Sequence, residues 1–314
     1  MRVVLWAAPL SRASLEESFG KLAGIDFVSV KSADETVAAL PDADVLVAPV
    51  FNYTPAVANA VRASSKLKFI QLLTIGYDRM ALDKPQTGMI VASAGDSLAP
   101  AVGEHAVALM LALGRRLHDS QANIPAAKWD GAHNTKMFTL EGKTIAIVGF
   151  GAIGQQAAAR LRPFGAHIIG ISRTRPTSNL ADEKLTIKQL DGVLEHADIV
   201  MISTPLTPET KGMFDAARIA RMKKGAMLIN IARGSIIDTN ALAEALTSGH
   251  LGGAGLDVTE PEPLPADHPL WKAPNLLLTP HISAAGSADR LSQFAAENVA
   301  AFVHGYKPKA LVTL

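Results

Sequence analysis

Short runs of aliphatic and β-branched residues recur along the chain, each bounded by polar or turn-forming residues. Stretches with helical spacing of their apolar positions separate them. In the first part of the chain, Arg2–Ala7, Asp26–Val30, Val45–Pro49, Phe69–Thr74 and Met89–Ala92 predict strands. Ser14–Leu22, with Ser11 or Ser14 as its cap, and Pro55–Ala63 predict helices. Ala99–Leu117 reads as one long helix whose Met and Leu positions predict core or subunit interface, and Asp119–Met137, with Pro125 and Gly131, reads as a linker. A second series starts at Thr144 and continues through His167–Ile171, Ile199–Ser203, Ala226–Ile231, Gly255–Asp257 and Asn275–Leu278. Strands alternating with helices predict parallel sheets, hence an α/β fold. The last helix, Ser287–Val303, lies beyond the second series, which predicts that the chain returns to its first domain.

The start of the second series carries the strongest signal. In TIAIVGFGAIG (144–154) an apolar strand runs into Gly149, Gly151 and Gly154, and a helical segment, Gln155–Leu161, follows. Strand, glycine turn and helix in this order form a dinucleotide fingerprint, because a pyrophosphate sits on the exposed amides of a helix start. The next strand of such a unit ends in Asp or Glu when the cofactor is NAD, to hold the ribose 2′-hydroxyl. Here it ends in Ser172, Arg173, Thr174 and Arg175. An acid would repel a 2′-phosphate, whereas guanidinium groups pair with one, so the sequence predicts NADP(H).

The chain has 314 residues, a net charge of +1 and no cysteine. That length suits two domains. No basic block suggests nucleic acid, no apolar run approaches a membrane span, and no thiol is present to catalyse or to cross-link. The opening MRVVLWAAPL reads as a strand rather than a leader, because the charged SRASLEESFGK follows it. A cytoplasmic location without a bound metal is expected.

Three strand ends supply chemistry. Arg233 follows Met227–Ile231, Asp257 closes another strand with Glu260 and Glu262 in a proline-rich loop behind it, and His281 follows Asn275–Leu278. Ligands of open α/β sheets bind at this carboxyl edge. An Arg to clamp a carboxylate, a His to exchange a hydroxyl proton and a Glu to partner its other nitrogen make a hydride-transfer set. Glu260 reads as a solvated loop carboxylate, and His105, beside Glu104 on the long helix, as a packing residue.

At these residues the chain resembles the D-isomer-specific 2-hydroxyacid dehydrogenases. The resemblance is carried by LLTIGYDRM (72–80), AVGEHAVALMLAL (101–113), EGKTIAIVGFGAIG (141–154), ADIVMISTPLTPET (197–210), MKKGAMLINIARGSIIDTNAL (222–242), GAGLDVTEPEPLP (253–265) and NLLLTPHIS (275–283), and covers nearly the whole chain. It implies two Rossmann/flavodoxin-like domains, a substrate domain of residues 1–100 plus 285–314 and an inserted NADP-binding domain of residues 101–284. They would close over substrate by hinging near residues 99–101 and 284–287. It implies Arg233, Glu262 and His281 as the catalytic set, with Thr74, Ile75 and Gly76 joining Arg233 and His281 around the substrate carboxylate. Cofactor contacts would come from Gly149, Gly151, Ala152, Ile153, Gly154, Ser172, Arg173, Thr174, Arg175, Thr204, Pro205, Thr210, Ile231 and Ala232, with Asp257 on the nicotinamide carboxamide. A homodimer and a small 2-ketoacid substrate of the glyoxylate or hydroxypyruvate type complete what it implies, the cofactor loop resembling the reductases that use NADPH.

Three positions depart from the family: the strand-end Asp of the NAD-dependent members is missing, Ala152-Ile153 stands where many relatives have Arg-Ile, and Leu98 where an Asn is often seen. Two other readings compete. Gly95-Asp96-Ser97-Leu98 with Asp130 and His133 spells a serine-esterase block, without an evident oxyanion motif. A dehydrogenase-like NADP(H) sensor or corepressor would keep the fold without turnover, against which the intact Arg233, Glu262 and His281 argue.

Overall fold

The computed structural model describes residues Met1–Leu314, and every strand of both its sheets runs parallel to its neighbours. The chain divides into two units, Met1–Leu98 with Ala285–Leu314, and Ala99–Ala284. The first unit holds β1 (Arg2–Leu5), β2 (Asp26–Ser29), β3 (Val45–Ala48), β4 (Phe69–Leu72) and β5 (Ile90–Ala92) in the order β2-β1-β3-β4-β5. This is the flavodoxin-like winding. β3 and β4 are buried along their length, as a parallel sheet covered on both faces requires. Helix Pro55–Ala63 places Val57, Ala58 and Val61 in a core with Leu46, Ile70 and Leu72. The last helix, Ala288–Val303, packs against the first, Pro9–Gly20, and sets Phe302 on Phe69 with ring centroids 5.0 Å apart. The tail then runs beside β5, Ser93 N donating to Ala310 O at 3.0 Å and Val312 N to Val91 O at 2.9 Å.

The second unit holds β6 (Thr144–Val148), β7 (His167–Ser172), β8 (Glu183–Thr186), β9 (Ile199–Ile202), β10 (Met227–Asn230), β11 (Gly253–Leu256) and β12 (Leu276–Leu278). Their order, β12-β11-β10-β9-β6-β7-β8, is the Rossmann winding with one additional strand. Period-two alternation sorts each strand between two cores. Ala146, Val148, Val200, Ile202 and Leu228 face one, and Ile145, Ile147, Ile199, Met201 and Ile229 face the other. Into the second core the helix Ala99–Gly114 sends Leu109, Met110 and Leu113, so these residues are core. It crosses helix Ala152–Leu161 at Gly103, where a Cβ would lie 2.9 Å from the Ala157 amide nitrogen.

Several boundaries differ from the sequence expectation for physical reasons. The first helix begins at Pro9, whose fixed φ suits a first helical position, so Ser11 and Ser14 lie inside it rather than capping it. The long helix stops at Gly114 rather than Leu117, and a Cβ at Gly114 would lie 3.2 Å from the Phe138 ring. A further helix, Leu117–Asn123, runs into the expected linker. Helix Ala33–Ala39, unread from the sequence, is capped by the Ser32 hydroxyl on Glu35 N.

Three aspartates stand directly before strands and accept an amide at the start of the neighbouring strand: Asp44 from Arg2, Asp182 from Ile168 and Asp198 from Thr144. Burial works against the Asp198 charge, but Lys223 Nζ at 2.8 Å, the Thr144 amide at 3.0 Å and Lys143 outweigh it and hold the carboxyl below its ordinary value. A folded-state value below the unfolded one contributes stability at neutral pH that is lost as pH falls through the folded value. D198N is therefore expected to cost about 1–2 kcal/mol at pH 7 and to flatten the loss of stability on acidification below about pH 4. Thermal unfolding at pH 7 and at lower pH checks this; equal acid sensitivity in variant and parent would remove Asp198 from the account.

Candidate active site

The glycine turn of the second unit leaves room where a phosphate needs it. Gly149, at φ +103°, tucks against the chain leaving β9, where a Cβ would fall 2.5 Å from Thr204 N. Ser203 Oγ locks this approach by donating to Gly149 O at 2.7 Å. At Gly154 a Cβ would lie 2.4 Å from Gly149 O, so helix and strand meet there without a side chain between them. Gly151 differs, because a Cβ there would meet nothing within 4 Å. This open space lies before the first turn of the helix, opened by Ala152 and Ile153, whose leading amides have no carbonyl a turn earlier. The turn fits a pyrophosphate.

Three adjacent strands then present their carboxyl ends. After β10, the buried side chain of Asn230 accepts from Ala232 N at 3.0 Å and donates to Arg233 O at 2.9 Å. Arg233 itself, partly buried, donates to Ala232 O at 2.8 Å. Gly234 seats this loop against the next one, since a Cβ there would lie 1.9 Å from the Thr259 carbonyl carbon. After β11, Glu262 Oε1 accepts from Thr259 N at 3.2 Å and Oε2 lies 3.0 Å from His281 Nδ1. After β12, His281 sits at φ +53°, a left-handed conformation uncommon outside glycine. Its Nδ1 is taken by Glu262, which leaves Nε2 for a ligand, and the imidazole is 47% exposed and so reachable. An imidazole partnered on Nδ1 by a carboxylate is suited to moving a proton from Nε2.

Comparison with known proteins accords with this geometry. Residues 107–283 match the D-isomer specific 2-hydroxyacid dehydrogenase, NAD binding domain. The chain belongs to the D-isomer-specific 2-hydroxyacid dehydrogenase family. A glyoxylate reductase of Thermofilum pendens is 39% identical over 263 residues, 81% of this chain and 77% of the relative. A D-3-phosphoglycerate dehydrogenase of Mycobacterium leprae is 34% identical over 302 residues, covering 95% of this chain, which spans 56% of that relative's length. Among solved structures, a D-isomer specific 2-hydroxyacid dehydrogenase family protein from Aeromonas salmonicida superposes with a TM-score of 0.88 at 28% identity, covering 99% of both chains.

Other residues of this 2-hydroxyacid dehydrogenase fall as follows. Beyond β7, Ser172 Oγ donates to Thr174 O at 2.5 Å, shaping the loop, and Arg175 Nε is bound to Lys184 O at 2.9 Å on β8. Arg173 stays exposed. Glu209 is held below its ordinary carboxyl value first by the Thr207 hydroxyl and its own amide, and further by the Arg173 charge. Thr210 Oγ1 donates to Pro205 O and accepts from Thr207 N, both at 2.7 Å, and so fastens the loop beginning at Thr204. Ile231 and Ala232 are buried between β10 and Arg233. The Asp257 side chain has no exposed surface, and both of its oxygens hold the turn around His281.

In the first unit, Thr74 Oγ1 accepts from Val50 N at 3.3 Å and donates to Gly76 O at 3.0 Å, which folds the 74–76 loop back on itself after β4. The amides of Ile75 and Gly76 donate to no protein group. The esterase reading fails here. Ser97 is 2% exposed with its hydroxyl donated to Ala94 O at 2.6 Å, while His133 bonds Ser120. Asn230, Gly234 and Thr279 are site residues that the sequence reading passed over. Asn230 and Gly234 flank Arg233, so their position within INIARGS was the available signal.

Proposed function

We propose that this enzyme reduces a small 2-ketoacid of the glyoxylate or hydroxypyruvate type to the D-2-hydroxyacid with NADPH. The observation that carries the reading is the 3.0 Å pair of His281 Nδ1 and Glu262 Oε2 at the strand end next to the Arg233 loop. The similarity to a glyoxylate reductase supports the acid class. Gly149, Gly151 and Gly154 with Ala152 and Ile153 would hold the pyrophosphate, and Arg173 the 2′-phosphate. When bound, the reduced nicotinamide supplies the hydride. Arg233 pairs with the substrate carboxylate through its planar fork, and in the first unit the amides of Ile75 and Gly76 are suited to donate to a carboxylate. His281 Nε2 gives its proton to the carbonyl oxygen as negative charge grows there, while Glu262 keeps the ring aligned. Carbonyl carbon gains a hydride, oxygen gains a proton, and a hydroxyacid results.

The test is initial-rate oxidation of NADPH and NADH with glyoxylate, hydroxypyruvate, pyruvate and phenylpyruvate, with D-3-phosphoglycerate oxidation as a contrast. R173A is expected to weaken NADPH binding ~10-fold or more and NADH binding little, since a charged hydrogen bond to phosphate contributes about 1.5–3 kcal/mol. An equal loss for both cofactors would take Arg173 off the 2′-phosphate. Turnover with NADH alone would keep the dehydrogenase and discard the cofactor.

A further inference from the structure

His105 has no place in the mechanism above, yet it reaches the catalytic turn. Its side chain, 21% exposed on the helix Ala99–Gly114, brings Nε2 to 2.9 Å from Thr279 Oγ1. A hydroxyl has one proton to give. Thr279 donates it to Asp257 Oδ1 at 2.7 Å, so its oxygen is left to accept from His105, and Nε2 must carry a hydrogen. Asp257 Oδ1 also accepts the Ile282 amide and Oδ2 the Ser283 amide, each at 2.9 Å. The Asp257 main-chain carbonyl accepts the His281 amide at 2.8 Å. One buried aspartate thus grips the chain on both sides of His281, whose left-handed backbone persists only where its surroundings over-determine it. His105 and Thr279 fix the aspartate in turn.

We propose that His105 and Thr279 are positioning residues. The bond from His105 Nε2 to the Thr279 hydroxyl orients the Asp257 carboxylate and, through it, the turn that presents the His281 imidazole. The proposal rests on the acid/base assignment of His281. Neither residue touches substrate. Their effect is on kcat through the angle at which a proton is delivered, where a displacement of about 1 Å can cost ~100-fold.

The experiment compares full-length T279V, T279S, H105L and H105Q with the parent. It reads kcat and KM for the ketoacid panel, and the His281 imidazole NMR resonance, identified by its loss in H281A. T279V and H105L are expected to lower kcat ~10- to 100-fold at nearly unchanged KM, and to displace or split the His281 resonance. T279S keeps the hydroxyl and restores the parental resonance with most of the turnover. H105Q keeps an N–H donor and falls between. Parental kcat and an unmoved resonance in both T279V and H105L would overturn the proposal. Should T279V fail to fold, H105L makes the same comparison from the other end of the bond. Should the parent itself turn over none of the acids, the functional reading fails. The resonance then decides the positioning alone: displaced in T279V and restored in T279S upholds it, unmoved overturns it.

Discussion

H281A is expected to abolish most turnover, lowering kcat by ~1,000-fold or more while leaving the NADPH dissociation constant nearly unchanged. General acid–base groups contribute ~100- to 10,000-fold, and the phosphate contacts assigned to the glycine turn do not involve the imidazole. Alanine at this position also faces a backbone cost, because φ is +53° there. H281N separates the two effects. Asparagine tolerates the left-handed region better than most residues but cannot deliver a proton at neutral pH. Both variants should therefore be equally inactive, and H281N the more stable of the two. Steady-state kinetics and fluorescence titration of NADPH check the result. A variant with parental kcat would remove His281 from the chemistry and leave Glu262 without its partner.

The second large effect is structural in origin. In G234A the added methyl would sit 1.9 Å from the Thr259 carbonyl carbon, 2.0 Å from its oxygen and 2.5 Å from Glu260 N. All three are backbone atoms, so no rotamer change relieves the overlap, and the two loops must part. The expected cost is about 3 kcal/mol or more, which lowers Tm by roughly 6–12 °C for a unit of this size. Parting the loops also moves Arg233, which follows Asn230 and precedes this glycine, away from its place beside the Thr259–Glu262 segment. A fall in kcat/KM beyond what unfolding explains should accompany the loss of stability. Calorimetry together with kinetics at a temperature well below Tm reads both. Parental stability in G234A would show that the two loops do not press together.

Much of this arrangement was legible in the chain. Fully apolar runs such as Ile145–Val148 and Ile199–Ile202 declared buried parallel strands, and glycine spacing declared the turn between strand and helix. Arg233, Glu262 and His281 were visible because each follows a strand in order, and the sheet places those strands side by side. What was not legible depended on contacts between segments far apart in sequence. His105 and Thr279 are 174 residues apart, and no local pattern announces their bond. Nor does the strand end at Asp257 announce that its buried oxygens hold the turn around His281. Arg175 resembled Arg173 in composition, and only the pairing of β8 beside β7 showed its Nε bound to Lys184 O. The helix Ala33–Ala39 was missed although Ser32 and Glu35 have the spacing of a cap, because its short run lacks a clear apolar stripe.

The return of the chain to its first unit has a consequence for synthesis. Residues 99–284 are contiguous, so every strand of the second sheet has been made once residue 284 is added. The first unit has by then all five of its strands but lacks the helix that carries Phe302 onto Phe69 and the tail that pairs beside β5. Its buried Gln71 likewise lacks Asn298, whose Nδ2 donates to Gln71 Oε1 at 2.8 Å in the finished protein. A nascent chain therefore carries an apolar sheet face and an unpartnered Gln71 Oε1 through the making of nearly two hundred residues, roughly ten to forty seconds at ordinary elongation rates. The unit whose strands are made first receives its last elements only after the second unit has been made.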